Sequence, residues 1–216
     1  MASKMCFFVD PITVFDERII TFNYVKGLSF SQKQKNVLSF HSSIKESHPN
    51  SNILEVSTKS SNPIGVALSA FNLKLDGFLI ESIFQSSKVF SNGDQYKFLK
   101  SRSPLEAKRF ISSESKGDLV CFRYQDVDFP LTPKSLFYDY IYIKALKQAP
   151  DISSELKNYD IFTDIEFNEK KQVNCQARSC AIYSYLLRNN CVDYYLSSVD
   201  VFKELYRKEG GVQLSF

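Results

Sequence analysis

The spacing of hydrophobic and polar positions changes along the chain, and each change predicts a new element. A β-rich segment over residues 18–24 predicts the best strand of the N-terminal part, and residues 53–57 predict a second strand. Between them, apolar side chains recur at helical spacing over residues 32–45, which predicts an amphipathic helix. Residues 57–65 are mostly polar and include a proline, so we expect a loop there.

Serine or threonine followed by proline marks two further helix starts, because the hydroxyl caps a helix and proline is tolerated at its first position. The pairs are Ser103-Pro104 and Thr132-Pro133, and the second helix is predicted to end near residue 149. The remaining predicted elements are a strand over 118–124, a helix capped by Asp151, a helix over 175–187 and a helix from Asp200 to Gly210-Gly211. Together they predict a helix-dominated α+β fold, a single domain over residues 1–216 with a few short strands, mostly N-terminal.

Three different polar side chains fall on one side of residues 80–90. If this segment is helical, Glu81, Gln85 and Lys88 stand at i, i+4 and i+7 and share one narrow stripe. Apolar residues on the adjoining face would anchor the helix to a core. The stripe is then either an ordinary solvated edge or a set of an acid, an amide and a base presented to a ligand.

Composition narrows the possible functions only moderately. The 216 residues carry a net charge of +3, which gives no global attraction to nucleic acid, so any such contact has to be local. Five cysteines without a C-x-x-C pair and only two histidines give a metal site little to build on, and we expect neither a metal nor a cofactor. No apolar run approaches the roughly 20 residues of a membrane span, so a cytoplasmic protein is expected.

Several segments resemble motifs of one protein family, in that family's own order. The stripe resembles the E-x-x-x-Q-x-x-K helix of the NADAR (YbiA-like) family, whose name refers to NAD and ADP-ribose. Residues 68–72, with sequence LSAFN, resemble its L-S-N-F segment, and residues 103–108, SPLEAK, resemble its S-P-x-x-A-K segment. Residues 162–166 and Asn174 resemble its closing segments. The family core implied by the resemblance covers residues 53–190.

The similarity is closer to one branch, the NADAR antitoxins associated with DarT-type DNA ADP-ribosyltransferase toxins. Segments 31–36, 53–60, 162–168 and 173–177 resemble that branch and extend the similarity over nearly the whole chain. The chain departs from the family pattern in three ways: it has no tryptophan, Ala70 replaces the asparagine of L-S-N-F, and Ser82 replaces the histidine after the helix glutamate. These departures concern the contacts that stack on the ligand.

The branch resemblance implies a glycohydrolase that removes ADP-ribose from guanine bases in DNA and so opposes a DarT-type toxin. Breaking this glycosidic bond passes through an oxocarbenium-like transition state and needs a proton on the leaving nitrogen. Glu81 and Asp164 are the two acids expected to act, with Glu166 as a substitute for Asp164. Two alternatives are an N-glycosidase acting on a small ribosyl-phosphate metabolite and an antitoxin that only binds the toxin or ADP-ribose.

Lys88 has two possible catalytic roles, as the counter-ion of Glu81 or the pyrophosphate, or as a neutral amine that forms a Schiff base with an opened ribose. The expected contacts to ADP-ribose come from two kinds of side chain, hydrogen-bonding groups and candidate phosphate binders. The first are Ser69, Asn72, Gln85 and Asn174, and the second are Lys59, Lys108 and Arg109. For each lysine and arginine, a solvated surface charge is the alternative.

Overall fold

The computed structural model describes residues 1–208. The helices are α1 (Phe30–Ser47), α2 (Pro63–Ala67), α3 (Ile80–Ser86), α4 (Pro104–Glu114), α5 (Leu136–Gln148), α6 (Pro150–Ser153), α7 (Gln176–Arg188), α8 (Val192–Tyr195) and α9 (Val199–Lys208). The strands are β1 (Ala2–Asp10), β2 (Val14–Phe22), β3 (Ile53–Glu55), β4 (Lys74–Leu75), β5 (Phe78–Leu79), β6 (Lys88–Phe90), β7 (Leu119–Tyr124), β8 (Val127–Phe129) and β9 (Ile161–Thr163). The predicted α+β class is confirmed.

The largest sheet has the order β2-β1-β9-β3 and brings together distant parts of the chain. β1 and β2 form an antiparallel hairpin that pairs Ala2 with Phe22 at its open end. β9 lies antiparallel to β1 and parallel to β3, with Glu55 opposite Thr163. The segment that follows β9 therefore begins beside the end of β3.

One face of this sheet is covered by α1, as its apolar spacing predicts. Phe40 and Ile44 are fully buried, and the Phe40 ring stacks on that of Phe22 with 4.9 Å between centroids. The Ser29 hydroxyl accepts from the backbone N–H of Gln32 and caps the helix, which begins two residues before the predicted start.

The main core lies around α5 and α7 and includes a buried polar network. Asp139, with no exposed surface, accepts hydrogen bonds from Ser179 Oγ at 2.5 Å and Tyr206 Oη at 2.6 Å. Arg178 Nη2 lies 3.0 Å from the same carboxylate. Since a buried carboxylate needs several donors to be tolerated, this network fixes α9, which carries Tyr206, against the two central helices.

Three local predictions are corrected by the structure. The predicted loop over 57–65 contains the start of α2, because the Asn62 side chain accepts from Ile64 N and caps a helix with Pro63 in its first turn. Thr132-Pro133 does not open α5, which starts at residue 136 with Ser135 at its N-cap. Asp151 lies in the first turn of α6 and is not its cap.

Two further predictions concern the chain's C-terminal end and its relation to membranes. Asp200 lies in the first turn of α9, whereas the stop predicted at Gly210-Gly211 falls outside the described residues. Within residues 1–208, no helix is long and apolar enough to cross a membrane.

Candidate functional site

Helix α3 carries the polar stripe, but it is shorter than predicted. It ends at Ser86, where the hydroxyls of Ser86 and Ser87 and the backbone N–H of Ser87 all donate to the carbonyl of Ile83. The next residues, Lys88–Phe90, form β6 and pair with β7. The prediction of one helix over residues 80–90 is therefore wrong in its second half.

A cavity of about 320 Å³ opens between α3, α4, α5 and the segment that joins β9 to α7. Six of the residues predicted from sequence line it together: Glu81, Gln85, Lys108, Asp164, Glu166 and Asn174. The other lining residues are Ala70, Phe71, Pro104, Leu105, Tyr138, Phe167, Gln172 and Gln176. The fold thus brings acids, amides and one lysine from separate elements together around one cavity.

Glu81 stands in the first turn of α3 and reaches the cavity wall. Tyr138 of α5 donates a hydrogen bond from its hydroxyl to Glu81 Oε1 at 3.2 Å. Burial raises the pKa of Glu81, while the hydrogen bond from Tyr138 and the charges of Lys108 and Lys88 oppose that rise. Glu81 is therefore a desolvated carboxyl that faces two cations.

Asp164 directly follows β9 and is only 6% exposed. Its Oδ1 accepts from the backbone N–H groups of Glu166 at 2.9 Å and Phe167 at 3.2 Å, and its Oδ2 accepts from Gln176 Nε2 at 2.9 Å. Both lone pairs of Oδ1 are then occupied, so that a proton on this carboxyl is held by Oδ2. Burial, followed by the nearby charge of Glu55, raises the pKa of Asp164.

Gln176 fixes the orientation of Asp164 and was not predicted as a site residue. Its Oε1 accepts from the backbone N–H of Ala70 at 2.7 Å, which leaves Nε2 to donate to Asp164. Gln176 is 8% exposed, although its type is usually found at the surface. A polar residue at the start of an otherwise buried helix was the available sequence signal.

Tyr138 was also missed, because its position within the apolar pattern of α5 is that of an ordinary core residue. It is 3% exposed, and its ring packs edge-on against Phe84 with 5.7 Å between centroids. The hydroxyl is the functional part, since it contacts Glu81. No feature of the local sequence distinguishes this tyrosine from the others in the helix.

Asn174 lines the cavity, and its buried Oδ1 has no hydrogen-bond partner among the described residues. A buried acceptor in this state is costly unless something else donates to it. Because Asn174 lines the cavity, a ligand with an N–H or O–H group would remove that cost.

Glu166 and Asp164, which sequence alone did not distinguish as the second acid, have different surroundings. Glu166 forms an ion pair with Lys33 of α1, and its side chain retains 39% exposure. Asp164 lies deeper and has no cation in direct contact among the described residues. Glu166 therefore belongs to the rim of the cavity and Asp164 to its interior.

Lys88 lies beside the cavity and contacts it through Gln85. Its Nζ donates to Gln85 Oε1 at 2.8 Å and lies 5.4 Å from the centre of the Phe84 ring. Partial burial lowers the pKa of Lys88, and the charge of Glu81 opposes that effect. Although Lys88 lies in β6 and not in the predicted helix, its ammonium still contacts Gln85 and acts on the charge of Glu81.

Two predicted contacts, Ser69 and Asn72, lie outside the cavity. Ser69 has no exposed surface, and its Oγ accepts from Asn72 Nδ2 at 3.1 Å. Asn72 also donates to the carbonyl of Val66 at 2.8 Å. Both side chains stabilise the turn after α2, and their neighbours Ala70 and Phe71 reach the cavity instead.

The two remaining predicted phosphate binders are also displaced from the cavity. Lys59 donates to Thr58 Oγ1 at 3.0 Å, and its ammonium lies 5.4 Å from the centre of the Phe30 ring. Arg109 lines a shallow hollow on the adjoining side of α4, which shares Leu105 and Lys108 with the cavity. Within residues 1–208, no group of three or more histidine, cysteine or acidic side chains is arranged to hold a metal ion.

Comparison with known proteins identifies a family for this chain. The sequence matches the family model described as DarT1-associated NADAR antitoxin over residues 2–213. No curated protein matches the sequence. The match covers nearly the whole chain, including every element that lines the cavity.

Proposed function

The chain belongs to the family of DarT1-associated NADAR antitoxins, and from this premise we propose that it hydrolyses the bond between ADP-ribose and guanine in DNA. It thereby reverses the modification made by a DarT-type toxin in the cytoplasm. Its substrate is ADP-ribosylated DNA, its product is ADP-ribose, and the toxin is its functional opponent.

The observation that carries this proposal is the pairing of two buried carboxyls, Glu81 and Asp164, in one cavity with opposite electrostatic neighbours. Lys108 and Lys88 act on Glu81 and favour its anion. Glu55 acts on Asp164 and favours its protonated form. Two carboxyls with such different charged neighbours can supply the base and the acid that hydrolysis of a glycosidic bond needs.

The proposed reaction uses these two states directly. Asp164, protonated at Oδ2, donates its proton to the exocyclic nitrogen of guanine as the bond from that nitrogen to ribose C1″ breaks. The Glu81 carboxylate stabilises the cationic ribose and takes a proton from the water that adds to C1″. The products are unmodified guanine and ADP-ribose, and proton exchange with solvent restores both carboxyls.

The other polar groups orient the ribose and the base. Because Gln85 Oε1 accepts from Lys88, Gln85 offers its Nε2 as a donor to the ribose hydroxyls. Asn174 Oδ1 accepts from an N–H or O–H group of the substrate. We assign Lys88 as the counter-ion of Glu81, since among the described residues it does not line the cavity and its ammonium is occupied by Gln85.

The test uses oligonucleotides that carry either ADP-ribosyl-guanine or ADP-ribosyl-thymine. Mass spectrometry measures released ADP-ribose and the mass of the remaining strand. We expect release from guanine, restoration of the unmodified strand, and release about 10³-fold slower by Glu81→Gln. Asp160→Asn, which removes a carboxylate outside the cavity, serves as the matched control and should keep wild-type activity.

Two results would contradict the proposal. The first is hydrolysis of a small ribosylamine phosphate without activity on modified DNA, which indicates a metabolic N-glycosidase. The second is rescue of toxin-expressing cells by the Glu81→Gln, Asp164→Asn double variant while modified bases persist, which indicates an antitoxin that acts by binding alone.

A further inference from the structure

Glu55 is a buried carboxyl that the reaction scheme does not use. It ends β3, is 2% exposed, and does not line the cavity. Its Oε1 accepts from Ser57 Oγ at 2.6 Å and from the backbone N–H of Ile165 at 2.8 Å. Its Oε2 accepts from Thr163 Oγ1 at 2.6 Å. A sealed carboxyl with this many donors needs an explanation beyond packing.

The partners of Glu55 lie on both sides of Asp164 in the chain. Thr163 precedes Asp164 and pairs with Glu55 across the parallel strands β9 and β3. Ile165 follows Asp164 and donates its N–H to the same carboxyl. Glu55 thus holds the hydroxyl of Thr163 and the backbone N–H of Ile165, on either side of Asp164, which lines the cavity.

We propose that Glu55 is a positioning residue for Asp164, which it fixes in place and keeps protonated by supplying a negative charge behind it. This inference rests on the proposed function only for the assignment of Asp164 as the acid. The placement of Glu55 beside Asp164 does not depend on any activity.

The charged and titratable groups around the pair support one shared proton. Lys4 from β1 is the cation that acts on both carboxyls, and its ammonium donates to the carbonyl of Phe167. His41 from α1 contacts Thr163 Oγ1 at 2.8 Å, and burial lowers the pKa of His41 to about 4, which keeps the imidazole neutral. From α5 and the start of α7, Tyr138 and Cys175 face Asp164, and burial raises the pKa of both, which keeps them neutral. Two carboxyls opposite one ammonium therefore favour a single negative charge.

The cavity decides which carboxyl delivers the shared proton. Asp164 Oδ2 has a lone pair left after the bond from Gln176, and Asp164 lines the space where the substrate binds. Glu55 is sealed behind it with donors on both oxygens. The proton on Asp164 can reach a substrate, whereas the charge on Glu55 stays in the protein.

Glu55→Gln removes the charge and preserves the hydrogen bonds. Gln Oε1 keeps the bonds from Ser57 and Ile165, and its Nε2 donates to Thr163 Oγ1. The Thr163 hydroxyl then turns to donate to the neutral His41 ring, which lies at 2.8 Å. A second variant, Ser57→Ala, deletes one donor to Glu55, makes that carboxyl a weaker acid and so shifts the same balance by a smaller amount.

The experiment follows the carboxyl carbon of Asp164 by NMR across a pH titration of the full-length chain. We expect the midpoint of Asp164 to fall in Glu55→Gln, to fall less in Ser57→Ala, and to stay in place in the matched control Asp160→Asn. The alkaline limb of the kcat profile should shift by the same number of pH units as the Asp164 midpoint. At a fixed alkaline pH, kcat should therefore change about tenfold for each unit of that shift, with KM unchanged.

An Asp164 midpoint that is the same in Glu55→Gln and wild type would overturn the inference, whatever the enzyme hydrolyses. If instead the midpoint falls as expected and wild-type protein releases no ADP-ribose from modified DNA, the inference about Glu55 stands and the proposed function fails. The two claims are therefore separated by one titration and one assay.

Discussion

Helix α3 separates two hollows of comparable size that differ in how their polar groups are satisfied. The candidate site has about 320 Å³ and faces Glu81 and Gln85, and the second hollow has about 250 Å³ and faces Ile83 on the other side of the helix. The second hollow is lined by Leu75, Asp76, Phe78, Ile83, Ser86, Ser87, Gln95, Lys97, Lys100, Arg123, Tyr124, Gln125 and Asp126.

Two charged groups of the second hollow, Asp76 and Arg123, have hydrogen-bond or ion-pair partners within the protein. Asp76 accepts from Tyr124 Oη at 2.6 Å and from Gln148 Nε2 at 2.8 Å, and these bonds lower its pKa. Arg123 makes a two-pronged bond to Asp128, at 2.5 and 2.8 Å. The Asp76 carboxylate is therefore stable as an anion without any ligand.

The candidate site differs in the pKa shifts of its acids and in the hydrogen bonding of Asn174. Its two buried acids have raised pKa values, and Asn174 retains a buried acceptor that no described residue contacts by a hydrogen bond. Size does not distinguish the two hollows, since their volumes are similar. Unsatisfied and electrostatically strained groups are the stronger guide to function, because folding alone does not favour them.

The largest expected difference is between two variants, each of which replaces one acid on one side of α3 by its amide. Glu81→Gln should lower kcat by about 10³-fold, since it removes the base and the carboxylate that stabilises the ribose cation. Asp76→Asn should leave kcat within about twofold, because its carboxylate serves only structure. Release of ADP-ribose from modified DNA measures both, and equal losses in the two variants would refute the functional distinction between the hollows.

Substitutions of Lys88 test its assignment as a counter-ion. Lys88→Arg keeps the positive charge and should retain activity within about tenfold, whereas Lys88→Gln should lose about 10²-fold, because Glu81 is then protonated over more of the pH range. Steady-state kinetics give the comparison. Covalent trapping of wild-type protein on substrate with borohydride would contradict the assignment and favour the Schiff base.

The dependence on pH should report both acids of the site. Activity falls as pH drops through the raised pKa of Glu81, which must be ionised, and it falls as pH rises through the raised pKa of Asp164, which must be protonated. We expect a bell-shaped kcat profile that loses about tenfold per pH unit on the alkaline side.

The free energy of unfolding should also depend on the titration of Asp164, and the direction of that dependence follows from its raised pKa. A carboxyl whose pKa is higher in the folded than in the unfolded state contributes stability below its unfolded pKa and loses it as pH rises through the folded pKa. The free energy of unfolding should therefore decrease from acidic toward mildly alkaline pH, and decrease less in Asp164→Asn. Urea unfolding at several pH values measures this, and an identical slope in both proteins would contradict the assigned shift.

The smallest expected effects have opposite signs on the two sides of α3. Asn174→Leu removes an unpartnered buried acceptor, so it should raise the free energy of unfolding by about 1 kcal/mol while it raises KM about tenfold. Asp76→Asn breaks satisfied hydrogen bonds, so it should lower the free energy of unfolding by about 1 kcal/mol with KM unchanged. Urea unfolding and initial rates test the pair, and a loss of stability in Asn174→Leu would contradict a ligand-binding role.

Much of the fold was predictable where the signal is local. The apolar spacing of α1 and the Ser103-Pro104 start of α4 needed no long-range information, and the structure adds a capping box between Ser103 and Glu106. β9 could not be predicted, because its three residues pair with β1 and β3, which lie more than a hundred residues away in the chain. Helix α3 was predicted too long because residues 88–90 pair with β7, a contact that is remote in sequence.

The residues of the candidate site also divide into those that the sequence predicted and those that it did not. Glu81, Gln85, Asp164 and Asn174 were found through motif order, which carries information about a shared ligand. Tyr138 and Gln176 were missed because their roles depend on contacts that only the folded chain creates: Tyr138 contacts Glu81, and Gln176 contacts Ala70 and Asp164. A side chain that positions another side chain leaves no spacing pattern of its own.

The bond from Tyr206 to Asp139 has a consequence for shortened versions of this gene. Asp139 is adjacent in α5 to Tyr138, whose hydroxyl contacts Glu81. A stop codon before position 206 would delete a donor to a fully buried carboxylate that also anchors Arg178. Alleles truncated this late would then lose antitoxin activity as well as stability, although every residue that lines the cavity is still encoded.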